Sequence, residues 1–293
     1  MLDFLNYFFA KIYSISGLSN LTFYSVLYFL SIVLLVFLIE LAFIGWNRSS
    51  FKKILKFDKS ARTDIIFCLL EMFNLFNILA FFLSFGICYF LVGQIQKAFN
   101  FNLILHIDNL TMQFIIVFLI SDLKEYFKHF IFHKVGPLWA LHEFHHSASN
   151  FTILTGYRFH FLQTSFGMFF DVIPYVILGV PLQTFFAIKI LSQIHGLLVH
   201  SNFENSWGFV GKYILVSPAA HRIHHSTEKK HFDKNYGGTF IFWDRIFGTY
   251  YPTGEKIIIG LPDNQYNKNT LFHDVWLSMN RSFHSLVKCL HKN

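Results

Sequence analysis

The chain has 293 residues, of which 54% are hydrophobic, 20% aromatic and only 14% charged, with a formal net charge of +7. Ordinary soluble domains carry about 25% charged residues, so the composition argues against one and points to lipid as part of the solvent. The positive balance then reads as cytoplasmic loops facing anionic lipid, and nucleic acid is not an expected partner.

In chain order, Leu21 to Ile44 reads as a first membrane span, interrupted only by Glu40. The uncharged run 12–39 exceeds the roughly 20 residues needed to cross hydrocarbon. It is also too long for a signal-peptide core and lacks a short basic head, so a retained span is expected. The next segment, "GWNRSSFKKILKFDKSAR", holds Arg48, Lys52, Lys53, Lys56, Lys59 and Arg62 against one acid, Asp58. The positive-inside rule makes this loop cytoplasmic. Ile65 to Val92 returns outward as span two. Leu110 to Ser121 begins span three, which continues in polar form through "DLKEYFKHFIFH". Phe161 to Val180 and Leu182 to Val199 form a hairpin turned by "GVP" at Gly179 to Pro181, because Gly and Pro break both helices. Beyond His200 the chain is more polar and ends in a basic tail.

The expectation is an all-α, polytopic transmembrane bundle of about four to five membrane helices, including that hairpin, with a cytoplasmic histidine-rich di-metal lobe. Residues 1–108 hold the first helices and basic loop, 109–252 the catalytic domain and 253–293 the tail. By this topology every histidine cluster reaches the cytoplasmic face, although the orientation was set by Lys and Arg alone.

Ten of the 16 histidines fall into four groups: His129/His133, His142/His145/His146, His195/His200 and His221/His224/His225. Spacings of three and four residues put imidazoles on one helical face, and Asp122 and Tyr126 extend the His129/His133 stripe. The arrangement His-x-x-His-His occurs twice, in "HEFHHSASN" and "HRIHHSTEK". Eight to ten imidazoles exceed the four ligands of one zinc and fit two metal ions. Cys68, Cys88 and Cys289 form no Cys-x-x-Cys pair, so the donors are nitrogen and oxygen. A nitrogen-rich two-metal site beside a membrane suggests iron and oxygen chemistry more than hydrolysis. The competing motif is His142-Glu143-x-x-His146, the signature of an intramembrane zinc protease with Glu143 as general base.

The segments "DLKEYFKHFIFH", "PLWALHEFHHSASNFTILTGYRFH", "VHSNF" and "SPAAHRIHHSTEKKHFDKNYGGTFIFWDRIFGTYYP" resemble the fatty acid hydroxylase/sterol desaturase superfamily of integral-membrane di-iron enzymes over about residues 110–252. The resemblance implies two irons (zinc being a substitute in purified protein) held by His129, His133, His142, His145, His146, His221, His224 and His225, with His195 and His200 completing the set. It implies oxygen activation and attack on a lipid C–H bond, by hydroxylation or desaturation. Electrons would come from a separate donor such as cytochrome b5 or ferredoxin. Asp122 and Asp233 would orient ligand imidazoles. Arg158 and His160 match the family's Arg-x-His element, with His160 an open ligand candidate. The implied location is a bacterial inner membrane or endoplasmic reticulum, with the active site on the cytoplasmic side.

Overall fold

A computed structural model of the chain describes residues 23–75 and 107–291, together with Leu79, Gln94 and Ile104. Among these residues there is helix and loop but no strand, only the isolated bridges Leu215–Phe240 and Ser226–Ile259. The all-α expectation therefore holds for the described residues. Most of the expected second span, Ile65 to Val92, lies outside them.

Helix α1 (Phe23–Arg48) is the one described helix long and apolar enough to cross a membrane. Gly45, at φ 68°, breaks its last turn in a backbone region where a side chain would be strained. Phe29, Ile32, Val33 and Val36 pack on Ile153, Leu154 and Tyr157 of a 3₁₀ turn and on Leu197, while Leu30, Leu34 and Leu38 remain exposed. Glu40 is fully buried because it accepts from Ser50 N at 2.7 Å, Ser50 Oγ at 2.7 Å and Asn202 N at 2.6 Å. That carboxylate folds the basic loop back and ties it to the end of the hairpin.

After short α2 (Ser50–Ile54), helix α3 (Lys59–Met72) starts where Asp58 accepts from Ala61 N at 2.8 Å. Its Asp64 accepts from Arg158 Nε at 2.6 Å, and neither side chain reaches solvent. Arg158 also donates to Ser60 O at 2.6 Å and to Ser147 Oγ at 3.2 Å. The Arg-x-His arginine is thus an internal strut, holding the 3₁₀ turn Ile153–Tyr157 against α3.

Helix α4 (Leu110–Lys134) leads directly into α5 (Gly136–His146), whose first turn carries Pro137, tolerated there because the first helical N–H groups lack intrahelical partners. The expected hairpin is α6 (Phe161–Leu178) and α7 (Leu182–His200), turned at Gly179 with φ 67°. Short helices α8 (Gly208–Tyr213), α9 (Pro218–His224) and α10 (Phe242–Ile246) follow. Ser217 caps α9 by accepting from Ala220 N at 3.1 Å. The segment expected as a basic tail folds into α11 (Leu271–Leu290), which packs along α5: Ser278 Oγ donates to Ala140 O at 2.7 Å.

Candidate metal centre

Three helices and one helix end bring histidines together. His129 and His133 project from one face of α4, and α5 contributes His142, His145 and His146. His200 ends α7, and α9 supplies His221 and His224 with His225 immediately after. The rings gather in two sets. Ring nitrogens of His129, His133, His142, His146 and His224 lie within 4.8 Å of one another, and so do those of His145, His200, His221 and His225.

Each His-x-x-His-His motif serves both sets. In the first copy the outer positions, His142 and His146, join the larger set while His145 crosses to the smaller. In the second copy the outer positions, His221 and His225, join the smaller set while His224 crosses to the larger. Stacked rings of His146 and His225, 4.0 Å apart at 18°, form the seam between the sets.

Several imidazoles are oriented from behind by carbonyl oxygens. His129 Nδ1 donates to Tyr236 O at 2.9 Å, His224 Nδ1 to Lys234 O at 2.8 Å and His200 Nδ1 to Gly196 O at 2.6 Å. The Gln163 side-chain amide lies 3.0 Å from His142 Nδ1. Its oxygen otherwise has no partner, so the amide fits best turned with that oxygen accepting from Nδ1. Each of these four rings then presents a bare Nε2 lone pair to the interior.

The inward nitrogens either have no hydrogen-bond partner or meet only one another. Nε2 of His133, His146 and His224 and both ring nitrogens of His225 are buried without one. The Nε2 atoms of His129 and His142 approach to 3.1 Å, those of His200 and His145 to 3.2 Å, and those of His221 and His200 to 2.9 Å. Two imidazoles on one metal at about 2.1 Å stand roughly 3.0 Å apart at a right angle and roughly 3.4 Å apart in a tetrahedron. The three contacts suit nitrogens that share a cation. Burial, and the proximity of neighbouring imidazoles, holds His142, His145, His146, His221, His224 and His225 well below the ordinary histidine pKa. They are neutral, the form that binds metal. An all-imidazole donor set suits iron or zinc. The residues fit two metal ions.

Nine of the ten predicted ligands are thereby brought together. His195 is not: its Nε2 donates to Val216 O at 3.0 Å and its ring lies outside both sets. Five residues advance a helix by about 500°, so His195 faces away from His200. His160 also lies outside both sets, with Nε2 on Val275 O at 3.2 Å and Nδ1 accepting from Leu162 N at 3.2 Å.

Neither expected orienting carboxylate touches an imidazole. Asp122 accepts from Thr239 N at 2.7 Å, Phe240 N at 2.9 Å and Trp243 Nε1 at 3.1 Å. Asp233 accepts from Tyr236 Oη at 2.7 Å and Lys134 Nζ at 2.5 Å. They act one step further out, by fixing the loop whose carbonyls hold His129 and His224. Asp244 completes this bracing through Tyr236 N and Gly237 N at 2.6 and 2.8 Å. A Cβ on Gly237 would stand 2.6 Å from Phe240 O, so the close loop needs glycine there.

Glu143 is engaged elsewhere: its Oε1 accepts from Tyr266 Oη and from Arg281 Nη1, both at 2.6 Å. His142 and His146 share their set with three further imidazoles, whereas a catalytic zinc takes three protein ligands and a water. The protease arrangement is not reproduced. A cavity of about 550 Å³ opens onto the larger set, with His133, His146, His224, Trp139, Glu143 and Arg281 among its walls.

Sequence comparison agrees with this geometry. The family profile described as fatty acid hydroxylase matches residues 114–249, which contain all nine gathered histidines. This stretch, a little under half of the chain, matches the fatty acid hydroxylase family. The chain is 34% identical over 151 residues to alkylglycerol monooxygenase of Xenopus tropicalis, covering 50% of this chain and 32% of that protein. It is 32% identical over 142 residues to the ornithine lipid hydroxylase OlsE of Rhizobium tropici, covering 48% and 43%. With human cholesterol 25-hydroxylase it shares 29% over 136 residues, covering 45% and 48%. The similarity thus spans less than half the length of each of these relatives. No solved structure gives a significant match.

Among features that sequence did not disclose, Gln163 left the best trace, as an amide in the first turn of an otherwise apolar helix. The orienting carbonyls of Gly196, Lys234 and Tyr236 left none, because every residue type carries one.

Proposed function

We propose that this chain is a membrane-bound di-iron oxygenase that hydroxylates or desaturates a C–H bond of a lipid. The observation that carries the proposal is the pair of adjoining sets of neutral imidazoles whose inward nitrogens are unpartnered or meet only one another. The relatives support the substrate class, since their names specify an alkylglycerol, an ornithine lipid and cholesterol.

In this reading His129, His133, His142, His146 and His224 hold one iron and His145, His200, His221 and His225 the other. The irons supply the redox chemistry that, with O2 and two electrons from a separate carrier such as cytochrome b5 or ferredoxin, breaks an unactivated C–H bond. The chain contributes fixed ligands and a dry surround. Carbonyl and amide partners on the outer nitrogens lock the tautomer and tilt of His129, His142, His200 and His224. Phe159 stacks on His145 at 4.8 Å, and Phe151 packs against His200, His221 and His225, so the smaller set is shielded from water. The cavity beside the larger set gives a substrate its approach.

The basic loop after α1 supports a multi-pass topology with the histidines on the cytoplasmic side. The deciding experiment measures metal content and oxygen consumption of the purified protein with a reductase system and candidate lipids. Close to two irons per chain and lipid-dependent oxygen uptake are expected. A metal-free protein, or turnover indifferent to loss of His224, would sink the proposal.

A further inference from the structure

Helix α11 packs Leu271, Val275 and Leu277 against the cluster of Phe67, Phe144 and Tyr266, yet its longest apolar stripe points away from the protein. Asp274, Ser278, Arg281 and Ser285 recur at steps of four, three and four, and this polar stripe faces the protein. Asp274 is buried and accepts from Asn267 N at 2.8 Å, Ser278 meets the Ala140 carbonyl, and Arg281 meets Glu143. Ser285 approaches so closely that a Cβ on Gly136 would stand 2.6 Å from its Oγ. Two residues before each of these positions, about 200° round the helix, runs an apolar stripe. It comprises Phe272, Trp276, Met279 and Phe283, then Leu286 and Leu290. Phe272 is 81% exposed and Phe283 61%. A soluble helix buries its apolar stripe; α11 turns that stripe outward.

We propose that α11 lies in the plane of the membrane surface, with its Phe272–Leu290 stripe in the lipid and its polar stripe supporting α5. The proposal rests on the reading of α1 as a membrane helix. Three observations select lipid as the occupant. Lys288 is the exposed formal charge on α11, while its one acid, Asp274, is buried, which suits anionic headgroups. Lys59 Nζ donates to Lys268 O, so α11 begins at the level of the basic loop that leaves α1. That loop also exposes Phe51, Leu55 and Phe57 among its lysines, continuing an apolar and basic surface from α1 towards α11. A strong apolar stripe on a helix with charged residues in its body favours an interfacial position over a spanning one.

The test places single nitroxide labels on the full chain, with Cys68, Cys88 and Cys289 replaced by Ala, in nanodiscs of mixed phosphatidylcholine and phosphatidylglycerol. Labels at Phe272→Cys, Trp276→Cys and Phe283→Cys should collide with oxygen several-fold more than with a water-soluble nickel chelate. His284→Cys, on the flank, should favour the chelate. A label at Leu34→Cys on α1 gives the lipid reference, so failure of the α1 reading is seen separately. Chelate-dominated collisions along the stripe would overturn the proposal. So would low access to both reagents with label–label broadening, the signature of a second copy on this face. Trp276 quenching offers a second reading: Trp276→Phe should reduce the emission quenched by brominated lipid. The labels report without turnover, so neither result depends on the oxygenase chemistry.

Discussion

The two histidine sets differ in number, enclosure and support. The larger set borders a cavity of about 550 Å³ and has carbonyl or amide partners behind three of its five rings. The smaller has four rings, one carbonyl partner at His200 and a wall of Phe151 and Phe159. Such asymmetry suits a division of labour, in which one metal position meets substrate and the other is shielded. It also separates two ways to fix an imidazole: hydrogen bonds from behind in the larger set, aromatic packing in the smaller.

That contrast can be broken most severely by removing a ligand. His145→Ala leaves three donors in the smaller set, and lipid-dependent oxygen uptake should fall by ~100-fold or more, beyond the loss typical of an orienting partner. His142→Ala leaves four in the larger set and should retain more iron than His145→Ala when both are assayed for metal. Equal retention would remove the argument from donor number. Next in size is Arg158→Leu, which leaves Asp64 buried without its cation. A cost of about 3–5 kcal/mol is expected, read as a lowered unfolding temperature and as early loss of metal through the loosened Phe151–Phe159 segment.

A smaller and more selective effect is expected for Gln163→Ala. Loss of the His142 partner should weaken metal binding at the larger set by about 10–100-fold in a chelator competition and spare the smaller set. Smallest is His195→Gln, which can keep a donor near Val216 O. Iron content should stay near that of the unsubstituted chain, and loss of one ion would restore His195 as a ligand.

How much of this was legible beforehand depends on the range of the interaction. Eight of the nine gathered histidines follow from spacings of three and four, which sequence displays directly, whereas His200 was reached only through the resemblance of "VHSNF" to the family. The hairpin was equally plain, because Gly179 and Pro181 interrupt two apolar runs. Partition of each motif between two sets was hidden, since it depends on how α5 and α9 face each other. Asp122 shares a helical face with His129, and the family resemblance implied that its carboxylate orients an imidazole. Instead, backbone N–H groups of residues 239 and 240, more than a hundred positions away, claim its carboxylate. The Arg158–Asp64 and Arg281–Glu143 pairs are long-range in the same sense. Glu143 stood out by motif, yet its partner lies in a segment that composition alone marked as a tail.

The crossed allocation of the two motifs also bears on metal loading. An ion that fixes His142 and His146 fixes the helix carrying His145, and an ion that fixes His221 and His225 does the same for His224. Ordering entropy spent at one position is therefore not spent again at the other. By linkage the first ion raises affinity for the second by the same factor in either order. A titration would then pass from empty to doubly loaded chain with few singly loaded molecules, and mixed-metal forms would be hard to prepare.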